Sequence, residues 1–202
     1  MHPYPKQYNF VDALTDIRSV IHLIGLHGSN LIGLEVGVFR AESHCTILQN
    51  CPNVKKLYGI DNWKPYTDYL NPNDSGIPDK WNAVPTNSTN DSEMELVEFT
   101  AKHNIKWSGE SQRSELWKGD AHHLVDRCDD GTFDFIFLDA WLNYDQVLQE
   151  LYDWYPKVKT GGLFIGHDYH CEAVRRAVEV YREDEDINNH MSTYDGTFVW
   201  RK

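Results

Sequence analysis

The chain has 202 residues, 41% hydrophobic and 13% aromatic, enough for one ordinary domain that buries roughly 70% of its unfolded surface without a disulfide or a structural metal. Nineteen Lys and Arg against 31 Asp and Glu give a net charge of −12, which repels phosphate backbones and anionic lipid and argues against nucleic-acid and membrane partners. No apolar run nears the ~20 residues of a membrane span, Met1 to Asn9 carry no signal pattern, and Cys45, Cys51, Cys128 and Cys171 form no CxxC pair, so a cytoplasmic protein with reduced thiols is expected.

Phe10, Leu14, Ile17, Ile21 and Ile24 recur at helical spacing until Gly28-Ser29-Asn30 breaks the pattern, which predicts a first helix. Leu31 to Val38 reads as a buried parallel strand that turns into a helix over Ala41 to Asn50, and Lys56 to Asp61 as a second strand. Residues 62–90 are rich in Asn, Asp, Pro and Tyr and lack periodicity, the signature of a lid or insertion loop. Tyr66, Tyr69 and Trp81 would give it stacking surface, and the N-x-S/T triplets at Asn73, Asn87 and Asn90 belong to its polarity. A helix over Glu93 to Asn104, a strand over Glu115 to Asp120 and a strand over Phe133 to Asp139 follow. Tyr144 to Val158 then forms a helix closed by Gly161-Gly162, and Leu163 to Gly166 a fifth strand that runs into His167-Asp168-Tyr169-His170. A helix through Val174, Ala177, Val178 and Tyr181 precedes a hairpin of Ile187 to Thr193 and Thr197 to Arg201 around Asp195-Gly196.

Strands alternating with helices along the whole chain predict a single α/β domain, 1–202, with a doubly wound, mostly parallel sheet. Ligands of such sheets sit at the carboxyl ends of the strands, and Glu35, Asp61, Asp120, Asp139 and Asp168 all fall there, on one predicted rim. Gly37 lets backbone approach a ligand, but neither G-x-G-x-x-G nor G-x-x-x-x-G-K-S/T is present, so a pyrophosphate cradle is not supported. Asp61 suits two ribose hydroxyls, and Asp120-Ala121 suits an adenine amino group.

Glu35-Val36-Gly37-Val38-Phe39-Arg40-Ala41, Tyr58-Gly59-Ile60-Asp61, Gly119-Asp120-Ala121, Phe133 to Ala140 and Lys159 to Tyr169 together resemble, in order and spacing, the class I S-adenosylmethionine-dependent methyltransferases, within their small-molecule O-methyltransferase-like group. The resemblance implies a Rossmann-like methyltransferase fold, with a seven-stranded sheet and an antiparallel last strand. It implies S-adenosylmethionine as cofactor, with Glu35 and Gly37 under its amino-acid part, Asp61 on the ribose, Asn62 and Trp63 near the adenosine, Asp120 and Ala121 at the adenine, and Asp139 adjoining. Relatives similar to catechol O-methyltransferase hold a divalent metal, Mg²⁺ or another, on the acid ending the fourth strand and an acid after the fifth, here Asp139 and Asp168. Tyr169 stands where a second acid or Asn is usual, leaving His170 or His167 to complete the set. Leu142 stands where a basic residue is frequent, which turns attention to His167 as the candidate base, with Asp139 and Asp168 beside it. The neighbours His122 and His123 point apart and do not read as metal ligands, while Trp141 and Tyr144 would wall an acceptor pocket.

The implied activity is O-methylation of a sugar or aromatic hydroxyl on a small-molecule acceptor, with metal assistance and a homodimer both left open. Two alternatives stand beside it: a nicotinamide-dependent oxidoreductase on a related fold, favoured by Asp61, and a non-catalytic cofactor-binding protein, favoured by Leu142 and Tyr169.

Overall fold

In the computed structural model, which describes residues 17–65, 90–140 and 142–202, the apolar runs line up as the seven strands of one sheet. The elements in chain order are α1 (Arg18–Leu26), β1 (Leu31–Val36), α2 (Glu42–Asn50), β2 (Val54–Asp61), α3 (Asp91–Trp107), β3 (Ser114–Lys118), α4 (Ala121–Leu124), β4 (Phe133–Leu138), α5 (Tyr144–Trp154), β5 (Val158–Gly166), α6 (Glu172–Asp184), β6 (Met191–Tyr194) and β7 (Thr197–Arg201). The strand order is β3-β2-β1-β4-β5-β7-β6. Every pairing from β3 to β5 is parallel, while β7 runs antiparallel to both β5 and β6, as the terminal hairpin around Asp195-Gly196 predicts. Phe10 and Leu14 of the expected first helix, the bulk of segment 62–90 with Tyr66, Tyr69, Asn73, Trp81 and Asn87, and Trp141 lie outside the described residues.

The sheet is covered on both faces because its central strands are apolar on both. On one face Ile17, which precedes α1, Val20 and Ile24 of α1 and Ile47 and Leu48 of α2 pack on Phe135, Phe137, Leu163 and Ile165. The other face seats Val147, Leu151 and Trp154 of α5 and Val174, Val178 and Tyr181 of α6 on Leu34, Ile136, Leu138 and Phe164. A third cluster joins Met94, Val97, Ala101 and Ile105 of α3 to Val38, Cys45 and Trp63 beside the β1 end. Asn90, read from sequence as part of a polar loop, is the N-cap of α3, its side chain accepting the Glu93 N–H at 3.0 Å. Asn143 caps α5 in the same way through Asp145 and Gln146. None of the four cysteines is in a disulfide, and no helix among the described residues is long and apolar enough to cross a membrane.

One boundary differs materially from expectation. The helix expected over Tyr144 to Val158 ends at Trp154, and a 3₁₀ turn over Tyr155–Lys157 carries Pro156, whose ring and missing N–H end an α-helix. Gly161 and Gly162 do not close a helix; they lie inside β5. The register jumps there, from Phe133↔Val158 to Phe135↔Leu163, so three extra residues bulge out of the strand. Gly161 takes φ +85°, and a Cβ on Gly162 would lie 2.8 Å from the Asp134 carbonyl oxygen, which is why two glycines stand together.

Candidate functional site

The carboxyl rim is drawn together by hydrogen bonds that continue the parallel ladder one residue past each strand. Gly37 N–H donates to the Ile60 carbonyl (2.9 Å), Gly119 N–H to Asp61 (2.9 Å), Asp139 N–H to Val36 (2.8 Å) and His167 N–H to Leu138 (3.0 Å). Beyond β1 the chain turns through Gly37 (φ +93°), Phe39 (φ +48°) and Ala41 (φ +62°). Left-handed non-glycine residues persist only when their surroundings hold them, and here Asp61 does so. One oxygen of its carboxylate accepts the N–H groups of Val38 (3.1 Å) and Phe39 (2.7 Å), and the other accepts that of Trp63 (2.8 Å). The Trp63 indole N–H closes the clamp on the Phe39 carbonyl at 2.8 Å. Trp63 is buried in the α3 cluster, so it is a core residue of this clamp. At Gly37 a Cβ would stand 2.3 Å from the Asp139 carbonyl oxygen, so only glycine lets the β1 and β4 ends approach this closely.

The five acids do not share one rim. Glu35 is fully buried below it, where Ser43 donates to one carboxylate oxygen and His44 Nδ1 lies 2.8 Å from the other. His44 Nε2 in turn lies 2.9 Å from the Ser114 hydroxyl, so Glu35 ties α2 to β1 and β3 and faces away from open space. Asp61 is only 7% exposed; burial pushes its carboxyl above the usual range although three backbone N–H groups oppose the shift. Asp120 caps α4 by accepting the His122 N–H at 3.0 Å.

A cavity of about 260 Å³ opens at this end of the sheet, between the ends of β1, β2 and β4, the β3–α4 junction and α5. Of the residues expected to hold a cofactor, Gly37, Asp61, Asn62, Asp120 and Ala121 line it, while Glu35 and Asp139 do not, although Ala140, next to Asp139, does. Its fourth wall, Gln146, Gln149, Glu150 and Asp153 of α5, was not anticipated. Glu150 had a signal, because it shares the 147/150/151/154 stripe with the buried Val147, Leu151 and Trp154, where an acid is out of place. His122 pairs with Asp153 at 2.8 Å, a cross-link between α4 and α5.

Asp139, His167 and Asp168 form the second part of the site. His167 Nδ1 lies 3.4 Å from Asp139 and 3.5 Å from Asp168, and all three are partly exposed. Asp168 adopts φ +56°, in a turn closed by the Cys171 N–H on its carbonyl (2.8 Å) and by the Tyr169 N–H on the Gly196 carbonyl (2.8 Å). Burial pushes Asp139 up to about 6, against the pull of His167 and with the repulsion of Asp168. Burial works against a charged His167, but the two carboxylates prevail and hold it up to about 11, so it stands as an imidazolium at neutral pH. Ligand atoms of Asp139, His167 and Asp168 lie within 4.8 Å of one another, as do those of Asp168, His170 and Cys171. Two carboxylates and an imidazole suit a divalent ion that keeps water ligands, and the nitrogen favours a transition metal over Mg²⁺. His170 is more exposed and lies 3.7 Å from Asp168. Leu142 packs against the α5–α6 core cluster, as does Tyr144, over whose ring Arg176 sits at 5.1 Å.

The sequence profile of a family described as "Methyltransferase domain" matches residues 34–169. No curated protein matches the chain. Among solved structures it is similar to the O-methyltransferase NovP, with a TM-score of 0.66 and 18% identity over 95% of this chain and 80% of that one. It is also similar to the O-methyltransferase TomG of Streptomyces achromogenes, involved in tomaymycin synthesis and solved with S-adenosylmethionine, with a TM-score of 0.61 and 13% identity over 100% and 92% of the two chains. A precorrin 8w decarboxylase from Methanobacterium thermoautotrophicum gives a TM-score of 0.60 and 14% identity over 99% and 92%, so the fold alone does not fix a reaction. The family profile runs from β1 to the residue after Asp168, through both parts of the site and most of the chain, and the chain belongs to the methyltransferase-domain family, with the class I, S-adenosylmethionine-dependent architecture.

Proposed function

We propose that the protein transfers a methyl group from S-adenosylmethionine to a hydroxyl of a small molecule, assisted by a divalent cation at Asp139 and Asp168, with His167 beside them as the proton acceptor. The observation that carries this reading is the meeting, at Asp139-Ala140, of a nucleoside-sized cavity and a carboxylate–imidazole–carboxylate cluster. The donor groups fit both occupants. Asp61 uses three of the roughly four lone-pair sites of its carboxylate on the backbone, which leaves capacity for a ribose hydroxyl. Ile60, Val36, Ala121 and Ala140 give apolar walls for a base, and Gly37 brings backbone close to the amino-acid part. S-adenosylmethionine held there would supply an electrophilic methyl group, transferred to the acceptor oxygen with S-adenosylhomocysteine as the leaving group. Holding acceptor and methyl donor aligned supplies much of the rate, and the rim bonds of Gly37, Asp139 and His167 to their neighbouring strands support this by holding the strand ends together.

The acceptor's proton has to leave during the transfer, and His167 is the group that takes it. The field of the two carboxylates holds the His167 proton in place, so His167 accepts a proton only after that negative charge is offset. A divalent cation held by Asp139 and Asp168 would offset it, so that His167 gives up its proton to solvent and stands as a neutral imidazole able to take the acceptor's, and would lower the hydroxyl's own pKa. A labelled-methyl assay with catechol and sugar acceptors, run with Mg²⁺ or Mn²⁺ and with EDTA, tests the reading. Transfer that EDTA abolishes and that Asp168→Ala loses while still binding S-adenosylhomocysteine is the expected result. Binding of S-adenosylhomocysteine without transfer to any acceptor under any metal would favour a non-catalytic binding protein, the reading that the core-packed Leu142 supports.

A further inference from the structure

The wall of the cavity contributed by α5 holds a group that the methyl-transfer reading leaves unused. Glu150 is 6% exposed, lines the cavity, and its Oε1 has no hydrogen-bond partner among the described residues. Buried polar groups are almost always partnered, and an unpartnered one that borders a ligand cavity is a group waiting for a ligand atom. Two acidic neighbours have partners of their own: Asp153 pairs with His122 and accepts from Gln149 at 2.9 Å, and one oxygen of Asp120 caps α4. Burial, reinforced by the negative charges of Asp120 and Asp153, pushes the Glu150 carboxyl well above the usual carboxylate range. In the protonated form, which that shift favours, the group offers an O–H donor and a C=O acceptor side by side. The three acids are no cation cage either, because the groups whose ligand atoms converge within 4.8 Å lie elsewhere among the described residues, around Asp168.

We propose that Glu150 reads the base of the bound nucleoside, its carbonyl oxygen accepting from the exocyclic amine of adenine and its O–H donating to the adjacent ring nitrogen. The proposal rests on the S-adenosylmethionine reading of the cavity. With the ribose at Asp61 and the faces of the base against Ile60, Ala121 and Ala140, the edge of the base runs toward α5, where Glu150 is the buried polar group lacking a partner. A neutral acid and an amino-purine edge match donor to acceptor twice. An ionised carboxylate would repel the ring nitrogen, so the burial that favours the protonated form of Glu150 also favours this match.

Calorimetric titration of S-adenosylhomocysteine, and of its purine analogue lacking the 6-amino group, into wild type, Glu150→Gln and Glu150→Leu tests this. Wild type should bind S-adenosylhomocysteine and lose roughly tenfold in affinity with the purine analogue. Glu150→Gln keeps a donor beside an acceptor and should stay within about threefold of wild type. Glu150→Leu should bind S-adenosylhomocysteine at least roughly tenfold more weakly and should no longer distinguish the two ligands. The comparison of two ligands within one variant is insensitive to a uniform loss of folded protein. A Leu variant that binds as wild type does or still discriminates, or a Gln variant as impaired as the Leu variant, overturns the proposal and leaves the cofactor reading standing. Failure of wild type to bind S-adenosylhomocysteine overturns the cofactor reading itself, and the proposal with it.

Discussion

Replacing Asp61 with alanine removes the acceptor shared by the Val38, Phe39 and Trp63 N–H groups, at 3.1, 2.7 and 2.8 Å. These bonds hold Phe39 at φ +48°, and Trp63 grips the same turn through the Phe39 carbonyl. Bonds to a charged acceptor contribute about 1.5–3 kcal/mol each, so three of them give a gross figure of about 6 kcal/mol. Burial works against that sum, since it raises the Asp61 carboxyl above its usual range in spite of the bonds. The net loss should be about 2–4 kcal/mol, which in a domain of this size lowers Tm by roughly 5–15 °C. Asp61→Asn, which keeps one acceptor oxygen, should fall between wild type and alanine. Thermal and urea unfolding of the three proteins, with S-adenosylhomocysteine titrated in parallel, measures both roles of the residue. If Asp61→Ala melts within a degree or two of wild type while binding is lost, the carboxylate is a ligand group only, and the clamp reasoning fails.

His44→Leu takes the imidazole partner from Glu35, both side chains being fully buried, and should cost about 3–5 kcal/mol by urea denaturation; a loss below about 1 kcal/mol would show the pair to be dispensable. Gly37→Ala should destabilise by about 2 kcal/mol or more and abolish S-adenosylhomocysteine binding, because the new Cβ meets the Asp139 carbonyl at 2.3 Å in a residue at φ +93°; unchanged binding would mean that the β1 and β4 ends need not meet there. Glu150 gives a pH signature. Its carboxyl is raised in the folded state by burial, Asp120 and Asp153, so its contribution is fully present below the unfolded value near 4.3 and is lost as pH rises toward the folded value, at up to about 1.4 kcal/mol per pH unit. Glu150→Gln should therefore gain stability relative to wild type between pH 5 and pH 8, read from urea midpoints at each pH, and an equal offset at both values would contradict the shift.

The strand pattern was legible because β1 and β4 are largely apolar runs bounded by turn residues, and the order of acids and glycines located the rim. The start of β5 was not, since Lys159-Thr160-Gly161-Gly162 has loop composition and only the bulge against β4 makes it strand. The acids illustrate the same divide. Their positions at strand ends could be read along the chain, but their environments depend on partners elsewhere: Ser43 and His44 for Glu35, the β1–α2 turn for Asp61, His167 for Asp139. Glu35 sits between the apolar Leu34 and Val36 in a central strand, and strand alternation already sets it on the α2 face. Glu150 was passed over because an acid in an amphipathic helix reads as solvated, although its spacing placed it on the buried stripe.

The central claim is that the carboxyl-rim cavity takes the nucleoside of S-adenosylmethionine, and calorimetric titration of S-adenosylhomocysteine into the wild-type protein, with NAD⁺ as comparator, tests it most directly. Saturable one-to-one binding of S-adenosylhomocysteine that Asp61→Ala weakens, with no binding of NAD⁺, is the expected result. Binding of NAD⁺ and none of S-adenosylhomocysteine would contradict it.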